Sequence, residues 1–337
     1  MPNIMLTYRC NLNCSYCFAN EFVNKDRTDI SLEYFDKAVR FFTASGPTHL
    51  GLIGGEPTLH PNLKLILEKL IDNALVSSVT IYTNGILLDK YINQISHPKF
   101  RILVNCNSPK NIGQNKYDLM QKNLDLLFFE HYMKDRVNLG INLYSDRIDY
   151  KYILNLLKRY DLHRVRISTT VPNFAEESDI NVLEYFKNKK PFLLKLFKDL
   201  DSIQVLPYYD CNKPPYCIWS EDEKIWLENF VSKYGVKESD LIGHCSKCFP
   251  VIDILPNLKA VRCFGMSDFC KVDISEFNDF TELASYFLNV VDADAYKISA
   301  GSECRECKQS QIRKCMSGCL GFKSSQIKKC NEFCMQL

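Results

Sequence analysis

No stretch of this 337-residue chain approaches the ~20 consecutive apolar residues of a membrane-spanning helix. An export signal is missing as well. Met1–Leu6 is apolar but gives way at once to Thr7-Tyr8-Arg9, too short for an h-region and with no basic segment ahead of it. Charge of one sign is also lacking: 42 Lys+Arg face 40 Asp+Glu, a net of +2, which gives no phosphate-tracking surface and no reason to expect nucleic acid as a partner. The densest basic runs, Lys187-Asn-Lys-Lys190 and Lys328-Lys329, read as solvated faces. Low-complexity sequence is absent, so disorder is not expected. These absences point to a globular cytoplasmic protein with neither membrane nor nucleic acid among its partners.

What the chain does have is cysteine. Sixteen of them without an export signal point toward metal or catalysis and away from disulfides. Their placement is uneven: Cys10, Cys14 and Cys17 open the chain, Cys106 stands alone, and the rest follow residue 210. The 46% hydrophobic content supplies a core, and the length has room for one large domain and a smaller one.

Residues 2–200 read as alternating strand and helix. Strands are expected at Pro2–Tyr8, Thr48–Ile53, Ser78–Thr83, Arg101–Asn105, Val137–Leu143 and Val165–Thr169. Helices are expected between them, the first over Ser31–Ala44 with Leu32, Phe35, Ala38, Val39 and Phe42 at helical spacing. Six such units with short connections imply an α/β fold, a partial (β/α)6 barrel of parallel strands. Functional loops of such sheets lie at the carboxyl ends of the strands, which is where each motif falls. The expected boundaries are a core domain at 1–200, a bridging segment at 201–239, and a small cysteine-rich iron–sulfur domain at 240–337, where helical periodicity weakens.

Cys10-x3-Cys14-x2-Cys17 follows the first strand. Three thiolates packed this closely can each take one iron of a [4Fe–4S] cubane and leave the fourth iron open. Electron carriers close the cluster with four cysteines, whereas an open metal position is the mark of a catalytic site. Gly54-Gly55-Glu56-Pro57 follows the second strand, and two glycines there are expected to let backbone approach a ligand closely in unusual φ/ψ.

Together these motifs resemble the radical SAM superfamily over about residues 2–170, with Tyr16 at the position before the third cysteine, where an aromatic is usual. The resemblance implies that Cys10, Cys14 and Cys17 hold a radical-generating [4Fe–4S] cluster whose open iron chelates S-adenosylmethionine. It further implies that Tyr16 packs near the adenine and that Gly54, Gly55 and Glu56 receive the methionyl amino group. Asn84, Asn105 and Asn107 would line the cofactor mouth, although Asn107 stands where relatives carry an acid. Cys106 reads as a buried small side chain.

The C-terminal cysteines resemble the SPASM extension, which implies two auxiliary [4Fe–4S] clusters. One would take Cys245, Cys248, Cys263 and Cys319; the other Cys304, Cys307, Cys315 and either Cys330 or Cys334. The gap from Cys307 to Cys315 is two residues longer than the family pattern. A zinc ribbon built on Cys245-x2-Cys248 and Cys304-x2-Cys307 is the competing reading. Cys211 and Cys217, flanking Pro214-Pro215, are left as candidate hydrogen-atom donors, extra ligands or ordinary loop cysteines, with Cys270 beside them.

The resemblance implies an enzyme that reductively cleaves S-adenosylmethionine and abstracts hydrogen from a ribosomally synthesised peptide, ending in a crosslink, an epimerisation or an oxidation. A separate leader-peptide-binding protein and an external donor such as flavodoxin or ferredoxin would be its partners. The alternatives are a small-molecule radical SAM dehydrogenase and a non-catalytic iron–sulfur or zinc protein.

Overall fold

Buried strands alternate with amphipathic helices through the first half of the chain. The computed structural model describes residues 2–170, 182–243, 248–267, 270–293, 302–312, 315 and 318–322. Strands β1 (Asn3–Met5), β2 (Thr48–Ile53), β3 (Val76–Thr83), β4 (Phe100–Asn105), β5 (Val137–Leu143) and β6 (Arg164–Thr169) appear in that order. Helices at Leu32–Thr43, Leu63–Asp72, Ile92–Ile95, Gln114–Asp125 and Lys151–Arg159 separate them. The first helix starts where Ser31 accepts the Tyr34 N–H, the bond expected of an N-cap serine. It turns Phe35, Ala38, Val39 and Phe42 inward, while Glu33 and Lys37 pair at 2.8 Å on the far face. Leu50, Leu52 and Ile53 of β2 are all buried, a continuous run that suits a parallel strand covered on both faces. The fold class is the expected one, α/β with mainly parallel strands.

The chain divides into two compact units, Met1–Gly140 with Pro250–Phe287, and Ile141–Phe249 with Leu288–Leu337. In the first unit, β1 pairs with β2, β2 with β3, β3 with β4, and β4 with Val137–Gly140 of β5, all parallel. The other edge of β1 carries a feature the sequence reading missed. Short strands β8 (Asp253–Ile254), β9 (Lys259–Val261) and β10 (Lys271–Asp273) continue the sheet there, with Asn3 opposite Asp253 and Ile4 opposite Ile254. Residues expected in a separate cysteine-rich domain thus belong to the core sheet. An uncovered β1 edge would leave unpaired N–H and C=O groups, but strands of two or three residues are too short to leave a periodic signal. Asn3 Nδ2 donates to Asp253 Oδ1 at 2.6 Å in the buried interior, and burial pushes the Asp253 carboxyl up to about 7 against that bond.

In the second unit, β6 pairs in parallel with β7 (Leu206–Tyr208). The helix Val182–Asp201 buries Phe186, Leu193, Leu196, Phe197 and Leu200. The helix Glu221–Ser232 opens on a reciprocal capping box between Ser220 and Glu223. No helix among the described residues is long and apolar enough to cross a membrane.

Candidate functional site

Cys10, Cys14 and Cys17 occupy the loop that leaves the carboxyl end of β1, and the loop is fastened from several sides. The Cys10 N–H donates to Asn24 Oδ1 at 2.8 Å, and Asn24 Nδ2 returns to the Leu12 carbonyl at 3.2 Å. Asn24 does this from the left-handed region, φ 58°, which Asn tolerates better than most residues. Lys116 Nζ donates to the Asn11 carbonyl at 2.7 Å, and Asn84 Nδ2 to Asn11 Oδ1 at 2.7 Å. Below the cysteines, the Arg9 guanidinium pairs with Asp29 at 2.9 Å and donates to the Leu59 carbonyl at 2.7 Å. Asn11, Asn24, Arg9 and Lys116 are supports that sequence reasoning missed, because single polar residues far apart in the chain carry no spacing signal.

Gly54 and Gly55 lie hard against protein backbone, without the unusual φ/ψ expected of them. Neither has a positive φ. A Cβ on Gly55 would lie 2.3 Å from the Arg9 carbonyl oxygen, and one on Gly54 would lie 2.9 Å from that of Thr7. The glycines let β2's exit run flush against the root of the cysteine loop, where Gly55 N–H donates to the Thr7 carbonyl and Glu56 N–H to the Arg9 carbonyl. Glu56 is fully buried and gathers four donors: the Thr58 N–H and hydroxyl, the Thr83 hydroxyl and the Asn84 N–H, at 2.7 to 3.1 Å. Burial pushes its carboxyl up, and those four bonds pull it back down. Glu56 therefore ties the loop after β2 to the loop after β3.

After β4, the Tyr16 hydroxyl is bonded to Asn107 Oδ1, so the aromatic of the cysteine loop is anchored on the residue that departs from the family's acid. Asn107 Nδ2 donates to the Asn105 carbonyl at 3.3 Å. Cys106 is buried with its thiol 3.5 Å from the Val104 carbonyl, in keeping with a packing role.

The three loop thiols lie within one another's electrostatic reach. Burial pushes Cys10 up to about 12, with the charges of Glu56, Cys14 and Cys17 adding to it and the Leu12 N–H opposing it. Burial likewise raises Cys14 and Cys17; Tyr16 and Lys116 oppose the shift at Cys14, and the Ala19 N–H opposes it at Cys17. Such donors and a nearby cation favour thiolate, and an all-sulfur set suits iron–sulfur ligation. Among the described residues no Cys, His, Asp or Glu side chains converge tightly enough for a single metal ion.

Of the C-terminal candidates, Cys263 lies in the first unit, and Cys248, Cys304, Cys307, Cys315 and Cys319 in the second. Cys245, Cys330 and Cys334 fall outside the described residues.

Residues 4–166 match the radical SAM superfamily. Over 97 residues the chain is 31% identical to a GTP 3',8-cyclase of Bradyrhizobium diazoefficiens, covering 28% of each. It is 28% identical over 259 residues to molybdenum cofactor biosynthesis protein 1 of Dictyostelium discoideum, covering 73% of this chain and 39% of that one. The chain thus spans well under half the length of these curated relatives. In fold, it resembles the crystal structure of Streptococcus suis SuiB bound to S-adenosylmethionine, with a TM-score of 0.60 at 14% identity over 94% of this chain and 72% of that one. The relatives' names overturn the expectation of a ribosomally made peptide as substrate, because GTP is a small molecule. The peptide reading leaned on the C-terminal cysteine pattern, which reports cluster binding rather than what the cluster acts upon. The radical SAM reading stands on the matched domain, and that family implies S-adenosylmethionine and a [4Fe–4S] cluster: residues 4–166 of this chain are a radical SAM domain.

Proposed function

We propose that the protein is a radical SAM enzyme acting on a small polar molecule, with GTP the first to test. The observation that carries this reading is the similarity to proteins named GTP 3',8-cyclase, joined to a cysteine loop tied to the loops after β2, β3 and β4. Cys10, Cys14 and Cys17 would hold the cluster. When bound, the cluster and S-adenosylmethionine supply a 5′-deoxyadenosyl radical that removes hydrogen from substrate. Tyr16, fixed by Asn107, orients the loop's aromatic. Asn84 and Glu56 set the distance between the cysteine loop and its neighbours. Lys116 puts a positive charge beside Cys14, which favours the ligating thiolate. In this reading the C-terminal cysteines hold auxiliary [4Fe–4S] clusters, and an external flavodoxin- or ferredoxin-type donor delivers the electron.

The test uses the reconstituted full-length protein under reducing, anaerobic conditions. S-adenosylmethionine is supplied with GTP, with other nucleotides, or with a cell extract split by ultrafiltration into small-molecule and macromolecular fractions. The expected result is 5′-deoxyadenosine formation raised by GTP or by the small-molecule fraction. Stimulation by the macromolecular fraction alone would overturn the small-molecule reading.

A further inference from the structure

The second unit contains a cysteine that the family pattern does not use. Cys217 sits in the turn Tyr216–Ile218, ahead of the Glu221–Ser232 helix. Two chain segments converge on the Val182–Asp201 helix from distant parts of the sequence. One carries Cys217: Trp219 stacks on Phe197, and Glu223 pairs with Lys190 at 2.9 Å. The other carries the later cysteines: Glu303 pairs with Lys187 at 2.9 Å, and Phe322 packs on Tyr185 and Phe186. Lys187 and Lys190 are three residues apart and so share a helix face. The two ion pairs thus lie on one face of the helix, one turn from each other.

We propose that Cys217 is the fourth protein ligand of the auxiliary cluster held by Cys304, Cys307 and Cys315, the place that the family pattern gives to Cys330 or Cys334. A closed [4Fe–4S] cluster needs four thiolates, and Cys304-x2-Cys307-x7-Cys315 supplies three. Cys304 is buried on the helix Ser302–Glu306, Cys307 starts the next helical turn, and the Cys315 N–H closes back on the Gln309 carbonyl at 3.1 Å. The three are therefore presented by one compact segment. Cys217 is exposed on its turn and lies within electrostatic reach of all three. Lys224, paired with Glu221 at 2.6 Å and with its ammonium 4.4 Å from the Tyr216 ring centroid, also lies within electrostatic reach of Cys217. Trp219, two residues on, is buried with its indole N–H unpartnered among the described residues, which leaves an unmet donor beside the same turn. On assembly each of the four thiols gives up its proton to solvent as its sulfur binds iron.

This inference rests on the proposed reading of the C-terminal cysteines as cluster ligands, and the test separates the two. The background is the full chain with Cys10, Cys14 and Cys17 replaced by Ala, so that remaining iron reports only the C-terminal sites. In it, Cys217→Ala should lower bound iron by about four per chain and remove the matching signal from the Mössbauer and reduced-state EPR spectra. Cys330→Ala and Cys334→Ala should each leave that signal in place. Should Cys217→Ala fold poorly, alkylation of the unsubstituted reconstituted protein gives the same answer. Cys217 should be protected together with Cys304, Cys307 and Cys315 and become reactive once iron is stripped. Retained iron in Cys217→Ala, with loss in Cys330→Ala or Cys334→Ala, overturns the assignment of Cys217 alone. A background protein that binds no C-terminal iron overturns the auxiliary-cluster reading and the assignment with it.

Discussion

Gly55 and Glu56 are neighbours in sequence, yet they serve the site through opposite means, one by lacking a side chain and the other by burying a charged one. A methyl group on Gly55 would meet the Arg9 carbonyl at 2.3 Å, and backbone on both sides cannot yield as a flexible side chain could. Gly55→Ala is expected to cost about 1–3 kcal/mol and to displace the residue next to Cys10. Thermal melting and iron content, measured together, check this; an unchanged melting point with full iron would refute the packing argument. Glu56→Gln replaces an acceptor of four hydrogen bonds with an amide whose NH2 must face donors. The loss is expected to be about 2–3 kcal/mol, read as a lower urea midpoint, and Glu56→Asp should not restore it because the shorter arm cannot span to both Thr83 and Asn84.

At the scale of elements, β1 joins everything. It is three residues long, pairs on both edges, and feeds directly into the cysteine loop. Its contact with β8 contains the buried Asn3–Asp253 bond, and this pair gives the sheet a pH dependence. The Asp253 carboxyl is raised from 3.8 to about 7 by burial, so between those values the folded chain keeps a proton that the unfolded chain has released. Its contribution is therefore fully present below about pH 4 and falls as pH rises toward 7, by at most about 1.4 kcal/mol per pH unit. Asp253→Asn should flatten that slope. Urea midpoints for both proteins across pH 4 to 8 test it, and parallel slopes would show that Asp253 does not titrate in this window.

For the molecule as a whole, the cysteines sort under the proposed reading into groups of different purpose, and those groups should be separable. Replacing Cys10, Cys14 and Cys17 together by Ala is expected to abolish cleavage of S-adenosylmethionine while removing only about four irons per chain. Iron analysis and 5′-deoxyadenosine assays on the same sample decide it: 5′-deoxyadenosine from the triple variant would end the case for this loop as the radical source. Total iron in the unsubstituted protein should approach twelve, or three cubanes, if both auxiliary clusters form. A value near eight would leave one.

By itself the sequence determined the strand–helix alternation, the parallel sheet and the placing of each motif after a strand. Those follow from local apolar periodicity and from short connections, and local properties can be read along a line. Thr48–Ile53 and Val137–Leu143 were legible to the residue because long apolar strands declare both ends. The cysteine spacing likewise pointed to a cluster, since ligands from one loop must be close in sequence. Only the tertiary structure decided that Asn24, Lys116 and Asn84 brace that loop, that Gly55 has no room for a Cβ beside the Arg9 backbone, and that residues 253–273 extend the core sheet. It also decided that Cys217 comes near cysteines some ninety residues later. Each of these depends on contacts between segments whose separation along the chain erases any pattern, so the information appears only when the chain has folded.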